Sequence, residues 1–165
     1  MTAPSAILVG LDGRIVMVRV EGKGTFLNST GLKEFAKEMT NRGHREFCLD
    51  LAHCPLMDST FMGTLAGIAL RLRELGQGEL RVVRLNERNR DLLCGLGLDQ
   101  LFTLDTSGSS TASAQAPLPS APVDHATQTR TVLEAHEAVI EANPENAAKF
   151  KDVLEYLKSD LRRGT

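Results

Sequence analysis

Two short apolar runs open the ordered pattern of the chain. Ile7 to Leu11 closes on Asp12-Gly13, a strong hairpin signal, and the β-branched run Ile15-Val16-Met17-Val18-Arg19-Val20 follows. They predict an antiparallel pair of strands. Gly22, Gly24 and Asn28 mark a turn, after which Ser29 or Thr30 is placed to cap a helix. Its stripe is Leu32, Phe35, Ala36 and Met39, and Asn41-Arg42-Gly43 ends it. Phe47 to Leu51 predicts a third strand with Cys48, Leu49 and Leu51 in the core. A second helix starts at Ser59 and carries Phe61, Leu65, Ile68, Leu72 and Leu75 on one face, until Gly76 and Gly78 stop it. A strand at Leu80 to Leu85, a helix near Arg88 to Leu96 and a short strand at Leu101 to Leu104 complete the series. Strands alternating with helices predict an α/β fold with a mostly parallel sheet, made mixed by the opening hairpin.

The pattern changes at residue 106. Residues 106–123 are rich in Ser, Thr, Ala and Pro and carry no charge, and Leu118 and Val123 are their main apolar side chains. They read as a flexible linker. From Asp124 the helical period returns with Val132, Leu133, His136, Val139 and Ile140. Asn143-Pro144-Glu145 breaks it, and a last helix places Phe150, Val153, Leu154, Leu157 and Leu161 on one face. The organisation is therefore a domain over 1–105, a linker over 106–123 and an amphipathic helical hairpin over 124–165. Such a hairpin is not stable alone, so its apolar face must meet the domain, a second copy of the chain (a homodimer through these helices) or a partner.

Composition narrows the function. With 42% hydrophobic residues and a formal net charge of -2, the 165-residue chain has no basic field for nucleic acid and no polybasic membrane patch. The longest uncharged apolar-rich stretch, Cys54 to Leu70, is interrupted by Pro55, Asp58 and Ser59, too short and polar to insert in a bilayer. Three cysteines without a close pair argue for a reducing compartment, and the first residues lack a secretion signal. The expectation is a cytoplasmic protein.

The chemistry concentrates in Leu49-Asp50-Leu51-Ala52-His53-Cys54-Pro55-Leu56-Met57-Asp58-Ser59-Thr60-Phe61-Met62-Gly63. A strand feeds a loop at the carboxyl edge of the sheet, where ligands and partners dock, and a polar trio opens a helix. A phosphate on Ser59 would sit at the positive helix end and bring roughly -1.5 to -2 charges beside Asp58. A partner resting on Phe61 and Met62 would be repelled. Asp, Ser and Thr are also the commonest capping residues, so the trio taken alone is more often a cap than a switch.

The order of elements over residues 5–105, with Asp50-Leu51 leading to Met57-Asp58-Ser59-Thr60 and Gly63, resembles the STAS domains of bacterial anti-sigma factor antagonists. The resemblance implies a STAS-like mixed sheet, with the two-helix extension outside the common domain. It implies that Ser59 is phosphorylated by a serine-kinase anti-sigma factor, which binds the unphosphorylated form, and that a PP2C-type phosphatase resets the switch. The partner-binding set is then Asp58, Ser59, Thr60, Phe61 and Met62. Phe61 stands where the family commonly has glycine, and Gly22-Lys23-Gly24-Thr25 replaces an acidic turn.

Other groupings carry less. His44, Cys48, His53 and Cys54 match no usual zinc spacing, and no metal or cofactor is expected. Ser59, His53 and Asp58 cannot form a hydrolase triad, because adjacent Asp and Ser cannot place the carboxylate behind the histidine; no enzymatic activity is expected. Gly63, Ala66 and Gly67 suggest close helix–sheet contact. His125 falls at the linker edge and His136 on a helix stripe. The competing functional readings are a constitutive scaffold or adaptor in a larger signalling or transporter complex, with the C-terminal helices as its binding surface, and a small-ligand sensor using a cleft between the third strand and second helix.

Overall fold

The computed structural model describes residues 5–105, 114–118 and 123–163. Strands β1 (Ala6–Asp12) and β2 (Ile15–Glu21) form the expected hairpin, turning on Gly13 at φ +62°. Helix α1 spans Phe26–Asn41, β3 Glu46–His53, α2 Ser59–Glu74, β4 Glu79–Val83, α3 Glu87–Gly95 and β5 Thr103–Asp105. β2 to β5 are parallel neighbours, so the sheet order β5-β4-β3-β2-β1 gives the mixed α/β architecture expected.

Helix α1 starts earlier than its apolar stripe suggests. Thr25, not Ser29 or Thr30, is the cap: its Oγ1 accepts from Leu27 N–H at 3.2 Å, while Asn28 Oδ1 accepts from Thr25 N–H at 3.0 Å. This reciprocal pair caps the helix start. Ser29 instead donates to the Thr25 carbonyl at 2.7 Å, and Thr30 to Thr131 Oγ1 at 2.8 Å.

Alternation along the strands divides the core. Val16, Val18, Phe47, Leu49, Leu51 and Val82 join the large cluster under the helices, where Phe61, Leu65 and Leu72 of α2 are at most 1% exposed. On the opposite face Met17, Cys48 and Val83 meet Ala114. Beside them Asp50, buried, is paired with Arg84.

Residues 114–118 do more than connect. Ala114 is fully buried, and Ala116–Pro117 form β6, antiparallel to β1 at Leu8 and Val9. Leu118 N–H donates to the Ile7 carbonyl at 2.8 Å. Small side chains let this backbone lie on the sheet, and pairing covers an edge that would otherwise stay open. The rest of the stretch read as linker, 106–113 and 119–122, lies outside the described residues.

The C-terminal hairpin consists of α4 (His125–Ala142), a single 3-10 turn at Pro144–Asn146 and α5 (Ala147–Arg163). Of the three destinations open to its apolar face, the structure uses the first domain. α4 lies along α2 and also touches α1, while α5 packs on α4.

Burial pushes the thiols of Cys48 and Cys54 up from their ordinary value, while Cys94 is exposed. At pH 8 under native conditions a maleimide should therefore modify one of the three cysteines, Cys94, with the others reacting only on unfolding; intact-mass spectrometry reads this directly. Equal reaction at all three would contradict the closed sheet.

Candidate functional site

The loop after β3 is fixed by backbone before any side chain acts. Gly24 N–H donates to the Leu56 carbonyl (3.0 Å) and Asp58 N–H to the Gly24 carbonyl (2.9 Å), tying the turn before α1 to the turn before α2. The two helices consequently begin side by side. Asp58 serves both: Oδ1 accepts from Phe61 N–H at 2.8 Å and Oδ2 from Phe26 N–H at 2.9 Å. One carboxylate thus lies between two helix N-termini, each carrying about half a positive charge.

Gly24 also decides where Phe61 goes. A Cβ at Gly24 would lie 2.6 Å from the Phe61 ring, so only glycine lets the ring close over this turn. Phe61 is fully buried. The two departures from the family pattern, an aromatic at 61 and a glycine-rich turn at 22–25, fit one another.

Ser59 is the first residue of α2 and is half-buried. Its Oγ lies 3.0 Å from Nε2 of His136, on the inner face of α4. Nδ1 of the same ring is 2.7 Å from the Val132 carbonyl, which can only accept. In the neutral ring Nδ1 therefore holds the proton, and Nε2 accepts from the Ser59 hydroxyl. The ring is 4% exposed and meets Phe150 of α5 edge to face, with centroids 4.9 Å apart.

Of the five residues expected at the partner rim, Asp58 and Ser59 are half-buried. Thr60, Phe61 and Met62 are instead buried, at 5%, 0% and 4% exposure, because the apolar stripe of α2 turns inward and α4 covers its flank. Gly63, Ala66 and Gly67 do permit close contact, but at 63 and 67 the contact is with a helix rather than the sheet. A Cβ at Gly63 would overlap the Ala135 carbonyl, and one at Gly67 would stand 3.8 Å from Ala138 Cβ.

His136 was visible in the sequence only as a polar member of an apolar stripe, a position that demands a hydrogen-bond partner without saying which. His125 finds an acid, Asp160 of α5, at 2.7 Å; Thr129 donates to the same carboxylate at 3.2 Å, and these bonds hold Asp160 below the usual carboxylate range.

The remaining sets disperse. His53 meets Glu21 (2.9 Å) and Arg19, away from Ser59, and the Asp58 carboxylate is committed to amides, so no triad assembles from these three. His44 Nδ1 lies 3.2 Å from the Arg14 carbonyl. Among the described residues no group of three or more His, Cys, Asp or Glu could hold a metal, and no helix is long and apolar enough to cross a membrane. A cleft of about 400 Å³ opens between α1, α2 and α4, bordered by Lys33, Lys37, Arg71 and Glu134.

Residues 7–111 match the family model described as STAS domain. The fold is similar to that of a candidate anti-sigma factor antagonist from Thermotoga maritima, with 20% identity and a TM-score of 0.56 over 61% of this chain and 87% of that one. It is similar also to the anti-sigma factor antagonist SpoIIAA in its unphosphorylated form, at 15% identity and TM-score 0.52, covering 62% of this chain and 89% of that one. The Bacillus cell fate determinant SpoIIAA in its phosphorylated form matches at 17% identity and TM-score 0.52, covering 62% and 93%. No curated protein matches the chain.

Replacing Asp58 by Ala removes the side-chain cap of α2 and the acceptor of the Phe26 N–H in the first turn of α1. Loss of a cap commonly costs about 1 kcal/mol, so Asp58→Ala should lower stability by about 1–2 kcal/mol in urea unfolding, more than Asp124→Ala, which caps α4 alone through Thr127 N–H. A change below 0.5 kcal/mol at Asp58 would contradict the shared cap.

Proposed function

This chain belongs to the STAS domain family, and on that premise we propose that it is an anti-sigma factor antagonist, a phosphorylation-switched binding module rather than an enzyme. The observation that carries the proposal is Ser59 itself: a hydroxyl at the first residue of α2, beside the point where α1 also begins. Two positive helix ends favour an anion there. A phosphate on Oγ would also end the present hydrogen bond to His136 and set a second negative group beside Asp58.

The partner is a serine-kinase anti-sigma factor that binds the unphosphorylated form, with a PP2C-type phosphatase restoring it. Similarity to SpoIIAA, known in both phosphorylation states, supports this reading. The setting is an aqueous compartment of the cell, the cytoplasm. Removing about 2–4 kcal/mol from such an interface weakens it roughly 30- to 1000-fold. A second reading, a constitutive adaptor, rests on Val153 and Tyr156 of α5, which are 39% and 65% exposed.

The switch predicts that protein purified from its native cell carries phosphate on Ser59 in part of the population, by mass spectrometry. Ser59→Ala should retain the serine-kinase partner and Ser59→Asp should lose it by at least 30-fold. Retention by both, with capture lost in Tyr156→Ala, would replace the switch by the adaptor.

A further inference from the structure

We infer that α4 is a releasable plug on the Ser59 face of α2, so that Ser59 becomes reachable, and the face beneath it available, only when the C-terminal hairpin lifts. The inference rests on the proposed switch only for the identity of the visitor; occlusion itself is a property of the fold.

Ser59, Gly63 and Gly67 are spaced i, i+4, i+8 and share one face of α2. Each is opposed by α4: the Ser59 hydroxyl by the His136 ring, Gly63 by the Ala135 backbone and Gly67 by Ala138. A phosphoryl donor must approach a hydroxyl in line and at about 3–3.5 Å. His136 Nε2 already occupies that range at 3.0 Å, and the ring is held in place from behind by the Val132 carbonyl and Phe150.

The contact is also built for release. The inner face of α4 buries Ala135, Ala138 and Val139 as its fully covered apolar side chains, all small or medium. Polar pairs flank them: Ser59 with His136, Thr30 with Thr131 and Lys33 with Glu134. Water can replace each of these polar partners, so lifting α4 strands few groups, and the apolar face it bares on α2 is that of Met62 and Ala66. The interior of α2 is different, with Phe61, Leu65 and Leu72 sealed against the sheet. The hairpin lies beyond the matched domain, residues 7–111. Once it lifts, Met62 and Ala66 flank a groove of glycines suited to a helix whose backbone approaches closely, the shape α4 itself supplies.

Two manipulations of the full chain test this, both in a Cys94→Ser background. In Ser59→Cys, labelling of residue 59 by a small maleimide should speed up at least tenfold when Gly63→Ala is added, because the new methyl overlaps the Ala135 carbonyl and forces α4 away. Equal rates would overturn the plug. In Gly67→Cys/Ala138→Cys, the Cβ atoms lie at 3.8 Å, a normal disulfide separation, so oxidation should cross-link α2 to α4 in the folded protein. With ATP and native-cell lysate, phosphate should then enter Ser59 at least tenfold more slowly in the oxidised than in the reduced form. A cross-link that fails to form, or equal phosphorylation of both forms, would overturn the inference while leaving the switch intact. Maleimide labelling that depends on Gly63, with no phosphate on Ser59 in wild type or in either form, would uphold the plug and remove the proposed switch.

Discussion

A single carboxylate organises the functional end of this molecule. Asp58 accepts amide protons from the first turns of α1 and α2 together, which sets both helix starts against the carboxyl edge of β3. Without that shared acceptor two positive helix ends would lie side by side with no anion between them. With it, Ser59 is held at a fixed height above the sheet, next in sequence to the group that fixes it. Everything proposed for the site depends on that height: an anion there is welcomed by the helix ends, and a helix laid across α2 meets the hydroxyl at hydrogen-bonding distance.

The frame was legible because it depends on local periodicity. Strands read from β-branched runs and helices read from three-and-four spacing appear in the order expected, and the hairpin turn at Asp12-Gly13 needs nothing beyond its own residues. The beginning of α1 was misplaced because Phe26 and Leu27, 42% and 73% exposed, interrupt the usual link between apolar residues and burial. Its cap depends on Thr25 and Asn28 exchanging bonds, a relation the apolar stripe does not mark.

The site was legible as a segment and not as a surface. Asp58 and Ser59 follow from the sequence of cap and helix. Thr60, Phe61 and Met62 were expected outside because they neighbour Ser59, yet a helix turns 100° per residue, and these three face inward or under α4. The partner of Ser59 lies 77 residues away on an element whose destination sequence alone left open. Likewise Phe61 and the turn at Gly24 look like unrelated departures from the family habit until the ring is seen resting on the glycine. Long-range pairs of this kind leave only an unmet demand in the sequence: a histidine among aliphatics, or a glycine where a side chain would be expected.

The resulting picture is a STAS domain whose α4 lies across the face of α2 that carries Ser59. The decisive contact is the one between Ser59 and His136, and its chemistry can be read without any partner. Long-range proton–nitrogen NMR of the His136 ring should find the Nδ1–H tautomer, with Nε2 as an acceptor, and should find that preference weakened in Ser59→Ala. A ring protonated mainly on Nε2 and exchanging freely with water would show that α4 does not cover the serine.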